Sequence, residues 1–489
     1  MSEKTTLDED LQKEVNEGRM PALHRERAFG TVGLTMTIFA WSLATYAFVQ
    51  GGTVSTLLNV RDGFAATCFG CVIGFALVYY AIIPRTCKYG ITTIDAAKPA
   101  FGQYGSILIS AVLLFAMEAW SLYLLSMSSL SIFDAVQATN VYTPASSPTF
   151  LQLIFLISVI FCSLIAVKGI NILNKVYTIL APGLLVLGLL LLFLIFSKWD
   201  FSQIMAFKPQ SPYPLNQINF SLVAEWGLSY SLSFFIAIGT VTRHAKSQSA
   251  AAFIPSLGIG WLSILYITIG LIVGLALGSF DFNVWALQLG GQFYGTIILL
   301  YIAIANITLY SVLIISLEQT LRQYLKRIKF SLLILIVSIP VIIFGIVPGA
   351  ITFYYSHYSI VIGYAGAIWA PFCGVLVADE IMRRRKIDLA HVFDNSTKSK
   401  YWYLRGFNVY SLLSLAIGLI VYFLLYDPIS SNPLQPGIFM WTTATLPSFG
   451  ISLMLELFFI KAILLPKKKG GYELKDDKGL PAFIEKPNL

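Results

Sequence analysis

Glu118, Ala119 and Trp120 stand together in the middle of a long apolar block, and two of the three can do chemistry. A carboxyl inside a membrane is costly unless neutral or partnered, so Glu118 is either a proton carrier or a protonated residue bonded to a neighbouring helix. Trp120 either packs against a helix or offers its indole face to a flat ligand. Two other stretches share one pattern: Trp41-Ser42-Leu43-Ala44-Thr45 followed by Gly51-Gly52-Thr53, and Tyr230-Ser231-Leu232-Ser233-Phe234 followed by Gly239-Thr240. Their hydroxyls can satisfy backbone groups where a helix unwinds, or coordinate a cation; the same small residues also let helices pack closely. Asn306, Thr308 and Ser311 place three side-chain oxygens within about a turn and a half of helix, suited to a sodium ion or to polar contact between helices. Glu225 and Glu456 read as interfacial or peripheral carboxylates.

The elements that must position these residues are membrane helices. The chain is 57% hydrophobic and 12% charged, with a mean hydropathy of +0.74. Its apolar residues come in blocks long enough to cross a bilayer, which takes about 20 residues of helix. In lipid each backbone polar group must be paired within the segment, so an all-α polytopic fold is expected. Twelve spans are predicted, near 31–57, 64–84, 106–134, 150–167, 176–197, 221–242, 254–279, 290–317, 330–348, 357–378, 407–426 and 436–464. With the N-terminus inside, all but Arg61, Lys198 and Lys208 of the 33 Lys and Arg residues fall on inside segments. Both termini are therefore expected in the cytoplasm of a multi-pass cell-membrane protein. The net charge of +8 reflects that orientation and anionic lipid, not nucleic acid. The N-terminal tail lacks the apolar core of a signal peptide, and the polar tail after Leu465 is expected to be flexible.

Several functions are excluded. The sequence holds no phosphate-binding glycine loop, no HExxH, no arginine-rich voltage sensor and no TVGYG-like filter. Its four histidines are scattered, and Cys68, Cys71, Cys87, Cys162 and Cys373 show no metal-ligand clustering. An enzyme is not expected. A twelve-span chain without these features reads as a secondary transporter. The two hydroxyl-rich stretches lie five spans apart, as paired breaks in a five-helix repeat require.

Local signatures in order then resemble a known family. They are Gly51-Gly52-Thr53 with Asp62; Tyr89-Gly90-Ile91-Thr92 with Lys98, Phe101-Gly102 and Gly105; and Ala119-Trp120. Gly169, Pro182, Thr242-Arg243 with Ala245-Lys246, Pro371, Gly374, Asp379, Arg384, Gly406 and Asn408 continue the series. From about Phe29 to Leu465 the chain resembles the nucleobase–cation symporter-1 family, most closely its cytosine permease branch. The resemblance implies two inverted five-helix repeats, with broken helices 1 and 6, plus two extra helices. The implied units are 1–28 (tail), 29–197 and 198–379 (the repeats), 380–465 (a loop and helices 11 and 12) and 466–489 (tail). It implies inward transport of a planar heterocycle with Na⁺ or H⁺ by alternating access, no other cofactor, and a monomer in the bilayer. Trp120 would stack on the substrate, with Ser42, Thr45, Tyr230, Ser231, Ser233 and Asn306 around it. Ala44, Thr308 and Ser311 would hold the cation.

Three departures bear on substrate. The family often places a Gln one turn from the Trp, where this chain has Met117 and Leu124; Thr240 replaces the Asp before Thr-Arg; and Glu118 is an addition. A site without the amide leaves a cytosine edge unpaired, which costs affinity. The substrate then extends to a purine, uracil, allantoin, a hydantoin or a thiamine precursor, with Glu118 a possible replacement acceptor. The rival readings are a transporter of amino acids or another solute on the same fold, and a ligand sensor that does not transport.

Overall fold

In a computed structural model that describes residues 20–139, 148–325 and 327–473, the apolar blocks form helices throughout. Among the described residues, nine helices are long and apolar enough to cross a bilayer, and two bent pairs raise the number to eleven. Val409–Leu425, with 17 residues, completes twelve.

Span 1 is Thr31–Ser42 and Thr45–Val54, span 2 Val60–Tyr89, span 3 Gly105–Ala138, span 4 Pro148–Val167 and span 5 Ile170–Lys198. Span 6 is Asn216–Thr242, span 7 Gln248–Leu277, span 8 Phe282–Arg322, and span 9 Phe330–Ile346 with the bent Ala350–Ser356. Span 10 is Tyr358–Arg383, span 11 Val409–Leu425, and span 12 Pro436–Thr442 with Thr445–Leu464. Several run past the predicted ends because helix continues beyond the apolar core. Span 8, for example, starts at Phe282 and kinks at Gly291, whose φ of 64° suits glycine.

The packing carries the signature of an inverted repeat. Span 6 lies along span 2, and the mirrored pair, span 1 along span 7, is equally intimate. Span 1 also packs on span 5 as span 6 does on span 10, while spans 3 and 8, and 4 and 9, pair with each other. Exchanging spans 1–5 for spans 6–10 maps this set of contacts onto itself. Spans 11 and 12 stand outside it, against span 10. Glycine makes the close pairs possible: a methyl on Gly51 would sit 1.9 Å from the Ile267 carbonyl oxygen, and one on Gly70 2.4 Å from that of Ala224. The glycines after the span 1 break therefore serve packing.

Two expectations change. Glu225 is fully buried and not interfacial. Its carboxylate accepts from the Tyr422 hydroxyl (2.9 Å), the Thr445 hydroxyl (2.7 Å) and the Ala444 and Thr445 amides (both 2.9 Å). It fixes the break in span 12, where Thr443 has a φ of 59°, and ties spans 6, 11 and 12 together. Glu456 is also buried, accepting from Ser411 at 2.7 Å.

The tail after Leu465 is not loose as far as Glu473. Tyr472 donates to Asp379 (2.7 Å), and its ring covers the Arg383 guanidinium at 4.1 Å. Asp379 also accepts from Arg383 and from Arg85 of span 2, and Arg85 reaches Glu380 as well. Near the other terminus Phe29 pairs with the chain after span 6, its amide donating to the His244 carbonyl at 2.9 Å. Arg27 donates to the Ala245 carbonyl at 2.8 Å. Arg27, Phe29 and Tyr472 thus pack against one end of the bundle.

Candidate functional site

The site forms where span 1 comes apart. Leu43 (φ −104°, ψ 19°) and Ala44 (φ −83°, ψ 168°) leave the helical region, and the two halves bend by 40°. Polar side chains hold the break. Ser42 returns its hydroxyl to the Ile38 carbonyl at 2.8 Å, and the Tyr46 hydroxyl reaches back to the Trp41 carbonyl. Asn306 of span 8 donates its amide to the Thr45 hydroxyl at 2.9 Å. Span 6 differs from the expected unwinding. Phe234 keeps right-handed angles (φ −68°, ψ −13°) and interrupts the helix for one residue, with a tightened bond to Ser231.

Beside these breaks lies a small cavity. Trp41 and Tyr46 of span 1, Trp120 and Leu124 of span 3, and Ser233, Phe234, Ile236 and Ala237 of span 6 line it. Leu309, Val312 and Leu313 of span 8 complete the wall. The Tyr46 ring is the hub: its centroid is 5.8 Å from Trp120, 5.7 Å from Tyr230 and 6.0 Å from Phe234. No charged side chain lines it. The Ser233 hydroxyl, which donates to the Tyr230 carbonyl at 2.6 Å, still has a lone pair to offer. The arrangement can clasp a flat, largely apolar ring by edge and face contacts.

The residues expected at a site divide into three groups. Trp120 and Ser233 line the cavity; Ser42, Thr45, Asn306 and Tyr230 lie just behind its wall. Ser231 points the other way, its hydroxyl on the Cys71 carbonyl of span 2 at 2.9 Å. Glu118 is not among the lining residues, being two positions and about 200° around the helix from Trp120. Among the cation candidates, Ala44 sits at the break, Thr308 donates to the Ala305 carbonyl (2.8 Å), and Ser311 turns to the Cys162 carbonyl of span 4 (3.4 Å). No hydrogen bond joins these three. Tyr46, Phe234 and Leu124 belong to the wall without having been assigned to it. Leu124 was findable: four residues after Trp120, it shares that face.

Residues 24–445 match a family model described as permease for cytosine/purines, uracil, thiamine, allantoin. The chain belongs to this family. The permease is accordingly a membrane transporter and not an enzyme, as the sequence resemblance led one to expect. A hydantoin permease of Microbacterium maritypicum is 20% identical over 477 residues, covering 90% of this chain and 92% of its own. Among solved structures, Mhp1, a nucleobase-cation-symport-1 family transporter, in a closed conformation with bromovinylhydantoin bound, matches with a TM-score of 0.72. That match has 18% identity and covers 93% of this chain and 99% of Mhp1. Mhp1 in its inward-facing conformation matches with a TM-score of 0.74, 17% identity and coverage of 92% and 94%. A Na⁺-coupled sialic acid symporter, substrate-bound and outward-open, matches less well, with a TM-score of 0.58 and 14% identity over 91% of this chain and 92% of its own. These matches show that the permease shares the fold of these solved structures.

Proposed function

We propose that the permease imports a planar nitrogen heterocycle carrying an apolar substituent, together with a cation, by alternating access of its two five-helix halves. Both termini face the cytoplasm in this reading, which follows the Lys and Arg distribution. The single observation that carries it is the composition of the cavity: three aromatic spans' worth of rings and a wall of Leu, Ile and Val, with no amide and no charge. Trp120 stacks on the heterocycle, Tyr46 and Phe234 close on its edges, and Ser233 with the backbone at the span 1 break bonds its polar atoms. Leu124, Leu309, Val312 and Leu313 take the substituent. The hydantoin permease relative and the bromovinylhydantoin bound to Mhp1 support this substrate class over unsubstituted bases.

Competition for uptake into proteoliposomes tests the reading, with bromovinylhydantoin, unsubstituted hydantoin, cytosine, uracil and allantoin as the panel. Burying an apolar substituent is worth about 1.5–3 kcal/mol, so the substituted hydantoin competes about 10- to 100-fold better than the unsubstituted ring. Equal or better competition by cytosine or allantoin would contradict it.

A further inference from the structure

Glu118 remains unused by the cavity, and its surroundings are unusual for a carboxyl at this depth. It is half-buried in span 3, its Oε2 atom is fully enclosed, and no hydrogen-bond donor or ion pair serves it among the described residues. Glu225 and Glu456 show the contrast, since both are held by hydroxyl donors. An unpartnered carboxylate in an apolar setting is costly and is relieved by taking a proton. Tyr310, fully buried on span 8, interacts with it electrostatically.

A second cavity opens along a neighbouring face of span 3, lined by Phe115, Ala116, Ala119 and Trp120 but not by Glu118 itself. This crevice runs between span 3, the helix Ala350–Ser356 and span 10, opposite the end where Arg27 and Tyr472 pack. Phe115 and Ala119, neighbours of Glu118 along the helix, line it; so do Tyr354, His357 and Tyr364, its titratable groups. Trp120 lines both this crevice and the aromatic cavity, and is the partition between them. Substrate against one face of Trp120 therefore acts on the wall of the space beside Glu118.

We propose that Glu118 is the proton-binding site that couples transport to a proton gradient, with Trp120 as the wall between the substrate cavity and the crevice beside span 3; the proposal rests on the transport function given above. In the outward-open state the carboxylate takes a proton from water of the external phase to form the neutral acid. When substrate seats against Trp120 and the crevice closes, the acid crosses neutral and dry. Opening to the cytoplasm rehydrates it, and the proton leaves to water, restoring the carboxylate.

Two measurements on the full chain in lipid test this. Infrared spectra of the unaltered permease and of Glu118→Gln are compared across pH. The expected result is a protonated-carboxyl band that is absent from the variant and fades as pH rises; no such band at any pH, or one that never titrates, overturns the proposal with or without a known substrate. In proteoliposomes, an inward pH gradient of one unit supports up to about tenfold accumulation of labelled bromovinylhydantoin. Glu118→Gln is expected to drop that ratio to about one while still exchanging label across equal concentrations. Undiminished accumulation by the variant, or accumulation by the unaltered permease under a Na⁺ gradient alone, overturns the proposal. Absence of exchange in both proteins instead defeats the transport reading, and the infrared result then decides Glu118 by itself.

Discussion

Trp120 and Leu124 carry the substrate account at the scale of single residues. Trp120 is the one ring shared by cavity and crevice, so Trp120→Ala should remove most heterocycle binding while leaving folding intact. Equilibrium binding on the monodisperse variant checks this, and normal affinity would refute the role. Leu124→Gln returns an amide to the cavity wall. One hydrogen bond is worth about 0.5–1.5 kcal/mol, so cytosine should gain about two- to tenfold against bromovinylhydantoin in uptake competition. The sequence made Trp120 legible through its neighbours in span 3 and made Leu124 visible only as a missing Gln. The glutamate beside them was ambiguous because a sequence shows a carboxyl without its donors, and only the fold reveals that the enclosed Oε2 of Glu118 has none among the described residues while Glu225 has several.

Breaks and buried carboxylates matter at the scale of elements. The paired hydroxyl-rich stretches did locate both interruptions, at Leu43–Ala44 and at Phe234. Their unequal depth was not legible, because helix continuity depends on neighbours: Asn306, from a span over 250 residues away in sequence, holds Thr45. Glu225 was misjudged for the same reason. Its partners come from spans 11 and 12, which no local pattern connects to span 6. Glu225→Ala leaves several buried donors without an acceptor, each costing about 1–3 kcal/mol. The expected outcome is a markedly lower unfolding temperature in detergent, with Glu225→Gln intermediate; an unchanged transition in both would show that span 12 needs no such anchor.

At the scale of the whole molecule, the twelve spans and their pairing in two halves could be read from hydropathy and from the spacing of the two breaks. The closure of the end where Arg27 and Tyr472 pack could not. There Arg85, Asp379 and Arg383 join spans 2 and 10, and Tyr472 of the tail seals them. Tyr472→Phe removes a charge-assisted bond of about 1.5–3 kcal/mol, so the variant should unfold at lower temperature and expose its tail to protease sooner. Cleavage at the rate of the unaltered permease would argue against a fixed tail. The account as a whole stands on one claim, that the aromatic cavity between spans 1, 3, 6 and 8 receives the substrate. An electron cryo-microscopy structure of the permease with bromovinylhydantoin tests it directly. The account predicts the hydantoin ring against Trp120, with its substituent toward Leu309, Val312 and Leu313. Ligand density in the crevice between spans 3 and 10, with the aromatic cavity empty, would contradict it.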